Sequence, residues 1–105
     1  MKKKVIIIGS GIAGLAASIR LKSKGYNVEV YEKNKNVGGK LSDFYLGDFR
    51  HDFGPKLFTM PNLVEDIFED AGVKTNKYFK YDRLDIACKY FWDDGHIFNA
   101  YSDSQ

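Results

Sequence analysis

Hydrophobic positions along this chain change their spacing at short intervals, and each change marks an element. Val5 to Ile8 is an unbroken β-branched run, which predicts a strand covered on both faces in a parallel sheet. Gly9, Gly11 and Gly14 follow, and from Ile12 the apolar residues take helical spacing. Ile12, Leu15, Ala16, Ile19 and Leu21 suit a buried side, whereas Arg20, Lys22 and Lys24 can stay in water. Gly25 is a natural stop for that helix. Asn27 to Tyr31 alternates, with Val28 and Val30 on one face, so a second strand is predicted to end at Glu32.

Beyond Glu32 the signals shorten. Lys33 to Asn36 is a polar turn that runs into the loop Val37-Gly38-Gly39-Lys40. Leu41 to His51 reads as a short hairpin around Gly47-Asp48, with Phe44, Leu46 and Phe49 available for packing, and Gly54-Pro55 fixes a turn. Pro61 opens a helix over Asn62 to Ala71, where Leu63, Ile67, Phe68 and Ala71 form one apolar stripe ahead of Gly72. Ile86 to Trp92 and His96 to Tyr101 are strands joined through Asp94-Gly95, a two-residue hairpin signal. The fold class is α/β: an N-terminal βαβ unit followed by β-hairpins and a helix.

The order strand, Gly9-x-Gly11-x-x-Gly14, helix, strand and acid specifies a Rossmann-like dinucleotide-binding βαβ unit. Gly9 and Gly11 allow a tight turn whose bare backbone can approach a pyrophosphate, and Gly14 lets the helix lie close to the strand. The unpaired N–H groups that open the helix favour an anion, the dipole alone contributing about 0.3–1 kcal/mol. Glu32 follows Gly14 by eighteen positions, close to the spacing at which a carboxylate accepts hydrogen bonds from a ribose diol. Ser10, Ile12 and Lys33 flank these positions and belong to the same candidate cofactor site. The pattern does not separate NAD from FAD, which share the adenosine ribose and the diphosphate, but it disfavours NADP, whose extra phosphate would meet the Glu32 carboxylate. Met1 to Ser18 also has the outline of a secretory signal peptide. Three glycines interrupt its apolar stretch, so the βαβ reading is preferred.

Composition narrows the class. The chain has 105 residues, 44% of them hydrophobic and 15% aromatic, as expected of a packed, soluble domain rather than a disordered one. Its net charge of +2, with both signs interspersed, gives no footprint for nucleic acid. No apolar stretch reaches membrane-spanning length, and residence in the cytoplasm is the default expectation. Cys88 is the only cysteine; it is read as a half-buried strand residue, not a nucleophile, and no metal site is expected.

Together with Gly9, Gly11, Gly14 and Glu32, the motifs Gly38-Gly39-Lys40, Gly47 to Pro55 and Thr59-Met60-Pro61 give the chain its family character. It resembles the FAD-dependent amine oxidase superfamily, and within it the phytoene desaturase branch of carotenoid and retinoid oxidoreductases. Residues 47–55 resemble that branch's G-x-x-x-D-x-G-P signature, and Leu84-Asp85 to Asp103 resembles the start of its substrate domain. The resemblance implies FAD as cofactor, with Gly38, Gly39 and Lys40 bordering the diphosphate and ribityl region and Gly54 and Pro55 shaping the flavin end. It implies residues 1–60 as part of the cofactor domain and 61–105 as the start of the substrate domain. It also implies hydride transfer with an apolar polyene, peripheral membrane association of the complete enzyme, and an aromatic hairpin lining a hydrophobic chamber. Two positions depart from the family: Lys40 stands where many relatives carry Arg, and His51 where an aromatic is common. Lys40 offers a mobile point charge in place of a bidentate fork, and His51 is read as a partly buried packing residue. No catalytic acid or base is assigned. In the usual strand order Val5 to Ile8 would lack one sheet neighbour here, so the expectation is an incomplete unit that is inactive alone. Its open edge would then be met by the rest of the flavoenzyme or by self-association. An NAD-dependent oxidoreductase and a non-catalytic dinucleotide-binding fragment are the alternatives.

Overall fold

The computed structural model of the protein describes residues 3–54 and 58–103, so Pro55 lies outside the described residues. The chain divides into two units, Met1–Thr75 and Asn76–Gln105.

The first unit is built on a βαβ turn. Strand β1 (Lys4–Ile8) leads into helix α1 (Ile12–Ser23), which returns the chain to strand β2 (Asn27–Tyr31). The strands pair in parallel, with Val5 opposite Val28 and Ile7 opposite Val30. Register partners share a face, so these four residues form the apolar side toward α1, against which Val5, Ile7 and Val28 are half-buried. Gly14 makes the close approach possible, because a Cβ there would collide with the Gly9 carbonyl oxygen and come within 3.5 Å of Ile7 Cγ2. Gly25, at φ 86°, ends the helix, its N–H donating to the Lys22 carbonyl at 2.9 Å.

The expected covering of β1 on both faces is not what the structure shows. Among the described residues, β1 pairs only with β2, and Ile6, Ile8 and Tyr31 stand on the uncovered face. Ile8 is 82% exposed, although its β-branched run reads as sheet interior. The physical reason is topological, since α1 occupies one face and no other described element of this unit lies over the second.

A hairpin follows, β3 (Asp43–Leu46) with β4 (Phe49–Asp52), turning at Gly47 and Asp48. Phe44, Leu46 and Phe49 are all exposed, so the hairpin presents its apolar side chains and does not bury them. His51 was expected to be a partly buried packing residue; it is exposed and stacks on Phe44, with ring centroids 5.4 Å apart. Helix α2 (Asn62–Asp70) begins after Pro61 and turns Ile67 and Phe68 partly inward, while Leu63 stays 47% exposed. It packs against α1, with Arg20 and Asp70 paired at 3.0 Å across the contact.

The second unit is the antiparallel hairpin of β5 (Ile86–Phe91) and β6 (Ile97–Tyr101). Its connection corrects the two-residue reading. Trp92 N–H donates to the His96 carbonyl at 3.0 Å and Gly95 N–H to the Trp92 carbonyl at 3.0 Å, which leaves a three-residue loop, Asp93-Asp94-Gly95, with Gly95 at φ 86°. A three-residue loop that closes on a left-handed glycine is the next most favoured hairpin solution after the two-residue turns. Ala87 bulges out of the ladder between Ile86 and Cys88, and Cys88 is half-buried on its strand as expected. Tyr90 lies 6.1 Å from both Trp92 and Phe98, but Phe91, Trp92 and Phe98 remain exposed.

Candidate functional site

Of the predicted cofactor residues, Gly9, Ser10, Gly11, Glu32, Gly38 and Gly39 come together at the carboxyl ends of β1 and β2. Gly9, at φ 94°, is fastened to β2 by an N–H bond to the Tyr31 carbonyl at 2.7 Å. Gly11 caps α1 in extended conformation (φ −65°, ψ 174°) without a side-chain cap, and no acid lies in the first helical turn. The first intrahelical bond runs from Leu15 N–H to the Gly11 carbonyl, leaving the amides of Ile12, Ala13 and Gly14 without intrahelical acceptors. Beyond its own chain neighbours, a Cβ at Gly9 or Gly11 would meet no atom of the described residues within 4 Å. The turn is therefore bare on its outer side and donor-rich, which suits a diphosphate.

Ser10 is the one fully buried side chain among the described residues, at 1% exposure. Its N–H and its hydroxyl both donate to Glu32 Oε2, at 2.8 and 2.9 Å, and its carbonyl accepts from Gly38 N–H at 2.9 Å. Three segments thus meet at one residue: the turn after β1, the end of β2, and the Gly38-Gly39 loop. The bridge between Gly11 and Gly38 extends that junction, and a Cβ at Gly39 would stand 3.1 Å from Gly11 Cα. Close passage of two glycine backbones is the physical need behind this paired-glycine motif.

Glu32 is half-buried and fully engaged. Besides the two bonds from Ser10, its Oε1 accepts from Asn34 N–H at 2.9 Å and from the Asn34 side-chain amide at 2.8 Å. The backbone N–H of Ser10 is the largest cause that pulls the Glu32 carboxyl down to about 2, with the Asn34 N–H next. The group is thus ionised throughout the neutral range. A fixed negative charge at the end of β2 can accept hydroxyl donors and would repel a 2′-phosphate. Asn34 was read only as part of a polar turn. Its position two residues beyond the acid, where an Asn readily folds back onto nearby polar groups, was the available signal.

Lys33 is exposed beside Glu32. Lys40 lines an open cleft of about 680 Å³ that also takes in Lys35, Asp43, Arg50, Asp52 and Gly54. There Arg50 reaches Asp43 at 2.5 Å and Asp52 at 3.3 Å, and the Arg50 guanidinium holds the Asp43 carboxyl below its ordinary value. Gly54 belongs to the same assembly, because a Cβ on it would collide with the Lys40 carbonyl oxygen. Among the described residues no His, Cys, Asp and Glu group has metal-binding arrangement.

Residues 7–71 match the NAD(P)-binding Rossmann-like domain. The chain belongs to that family. Within this Rossmann-like family it is similar to curated carotenoid enzymes, as its motifs implied. It is 52% identical over 104 residues to the 1-hydroxycarotenoid 3,4-desaturase of Flavobacterium sp. (strain P99-3), covering 96% of the chain and 20% of the relative. The 4,4'-diaponeurosporene oxygenase of Staphylococcus haemolyticus (strain JCSC1435) is 35% identical over 102 residues, which is 97% of the chain and 20% of that protein. The 4,4'-diapolycopene oxygenase of Methylomonas sp. is 35% identical over 103 residues, 98% of the chain and 21% of that protein. The Rossmann-like chain therefore spans about a fifth of the length of these curated relatives.

Proposed function

We propose that this chain forms the ADP-binding half-site for FAD in an oxidoreductase that transfers hydride between the flavin and an apolar polyene. The ionised Glu32 carboxylate, fixed beside a bare, donor-rich glycine turn, is the observation that carries the reading. A dinucleotide fits this donor set; the choice of FAD rests on the likeness to carotenoid desaturases and oxygenases.

In this reading Gly9, Ser10 and Gly11 form the turn that leaves room for the diphosphate, Ile12 and Gly14 donate to it through backbone N–H groups that lack intrahelical acceptors, and Glu32, with Lys33 beside it, takes the adenosine ribose. Gly38, Gly39 and Lys40 border the diphosphate and ribityl region, and Gly54 and Pro55 shape the flavin end. FAD, when bound, supplies the hydride chemistry; the protein binds, orients and excludes water. Residues 1–60 serve the cofactor and 61–105 begin the substrate domain, whose exposed aromatic side chains on β5 and β6 line the apolar chamber. Among the described residues no helix is long and apolar enough to cross a membrane. We place the complete enzyme on the cytoplasmic side, in peripheral contact with the membrane that holds its lipophilic substrate.

The test is turnover by the full-length protein that carries this chain, loaded with FAD and given a 1-hydroxycarotenoid. The expected product has a longer conjugated system and a red-shifted absorbance band. An unchanged polyene spectrum with flavin retained would contradict the substrate class. Membership of the NAD(P)-binding Rossmann-like family favours a second reading, an NAD-dependent enzyme; purification without a flavin absorbance, together with turnover that needs NAD, would decide for it.

The uncovered side of β1 gives a further expected result. Its unpaired edge and the exposed Ile6 and Ile8 face call for other polypeptide: the rest of the flavoenzyme or further copies of the chain. In analytical ultracentrifugation the 105-residue chain alone is expected to self-associate. A compact monomer with one cooperative thermal transition would contradict this.

A further inference from the structure

We propose that the Asn34 side-chain amide is a stand-in donor that holds the ribose-facing lone pair of Glu32 in the free protein, is displaced when the dinucleotide binds, and thereby sets its affinity. The inference rests on Glu32 taking the ribose, as argued above, and goes further by assigning a role to Asn34.

A carboxylate offers about four acceptor sites, two per oxygen. At Glu32 all four are taken: Oε2 by the Ser10 N–H and hydroxyl, Oε1 by the Asn34 N–H and side-chain amide. A ribose hydroxyl can therefore donate to Glu32 only by replacing one of these donors. Burial decides which one. Ser10 is 1% exposed, and its two bonds also keep the glycine turn joined to β2. The Asn34 N–H is backbone, and it closes the turn that leaves the strand. The Asn34 amide is the remaining donor; it sits on an exposed residue, in an exposed bond, and needs only a side-chain rotation to leave. The ribose diol thus exchanges one hydrogen bond for another at Oε1, and part of its binding energy is offset by the bond that it breaks.

Asn34→Ala removes the competitor while the backbone bond to Oε1 remains. Because a hydrogen bond to a carboxylate is worth more than a neutral one, ADP should bind the variant about two- to tenfold more tightly than it binds the wild-type protein. Damage to the loop would weaken binding, so a gain separates this role from a structural one. A second readout uses the wild-type protein: the Asn34 side-chain NH₂ resonance should move on addition of ADP and stay in place on addition of inorganic pyrophosphate, which has no ribose.

The experiment is calorimetric titration of ADP into the protein carrying this chain, as wild type, Asn34→Ala and Glu32→Ala, with the resonance measurement alongside. Tighter binding by Asn34→Ala, with an ADP-specific shift of the Asn34 amide, is the expected result. Unchanged or weaker binding by Asn34→Ala, or an immobile Asn34 resonance, overturns the proposal while leaving the ribose role of Glu32 standing, provided that Glu32→Ala loses affinity. No ADP binding by wild type, or undiminished binding by Glu32→Ala, overturns the ribose reading and this proposal with it.

Discussion

Replacing Gly11 with alanine is expected to abolish dinucleotide binding in a chain that still folds. Gly11 has φ −65°, which any residue adopts, and its missing Cβ would point into space free of protein atoms to 4 Å. The methyl group costs the fold little, since an N-cap alanine is worse than glycine by no more than about 1 kcal/mol. It does fill the volume through which a diphosphate would approach the helix amides. Loss of even one charge-assisted hydrogen bond there is worth about 1.5–3 kcal/mol, or roughly ten- to hundredfold in affinity. Gly14→Ala behaves in the opposite manner. Its Cβ collides with the Gly9 carbonyl, a backbone atom that cannot swing aside, so α1 must move off β1 at a cost of about 1–3 kcal/mol in stability. Thermal denaturation and FAD titration of the two variants check the pair: Gly11→Ala loses binding with its melting temperature nearly kept, and Gly14→Ala loses melting temperature first. A Gly11→Ala variant that binds FAD as the wild type does would contradict the placement of the diphosphate.

Glu32 should be nearly as sensitive, and for two reasons at once. Glu32→Ala removes the ribose acceptor and also strips the buried Ser10 N–H of its partner, which loosens the glycine turn itself. Glu32→Gln does not rescue it. An amide in place of the carboxylate has one acceptor oxygen for the four donors that converge there, and its NH₂ faces either Ser10 or Asn34. Both variants should lose at least about tenfold in ADP affinity. The acid dependence follows from the carboxyl value of about 2, lowered from 4.5 chiefly by the Ser10 N–H. A group whose folded value is depressed lends stability above its unfolded value and withdraws it as pH falls toward the folded one. The Ser10–Glu32 junction should therefore hold at neutral pH and weaken as pH drops from 4.5 toward about 2. Stability measured over that window should show a steeper acid limb in the wild type than in Glu32→Gln, which keeps only the part that other depressed carboxyls such as Asp43 supply. Equal acid limbs in both proteins would remove Glu32 from the junction.

Much of the first unit was legible because its signals are local. The β-branched run, the three glycines, the helical spacing after Ile12 and the alternation over Asn27 to Tyr31 each specify backbone geometry within a few residues, and β1, α1 and β2 follow them closely. The hairpin at Gly47-Asp48 and the helix after Pro61 were legible for the same reason. Burial was not. An apolar run such as Ile6 to Ile8 records that something covers it without saying whether that cover lies within these residues, and here one face is bare. The loop of the last hairpin was misread by one residue, because Asp94-Gly95 serves a two-residue turn and a three-residue turn with a left-handed glycine equally well. Within the site, the glycines and Glu32 were readable from spacing. The knot at Ser10 and the engagement of Asn34 were not, since both depend on where β2 ends relative to the turn twenty-two residues earlier.

The central claim is that the glycine turn and Glu32 form a working ADP half-site for FAD. The most direct measurement is flavin fluorescence during titration of FAD into the protein carrying this chain, followed by competition with ADP. The account predicts saturable binding that ADP reverses and that Gly11→Ala and Glu32→Ala both lose. FAD binding that ADP fails to displace, or that survives both substitutions, would contradict it.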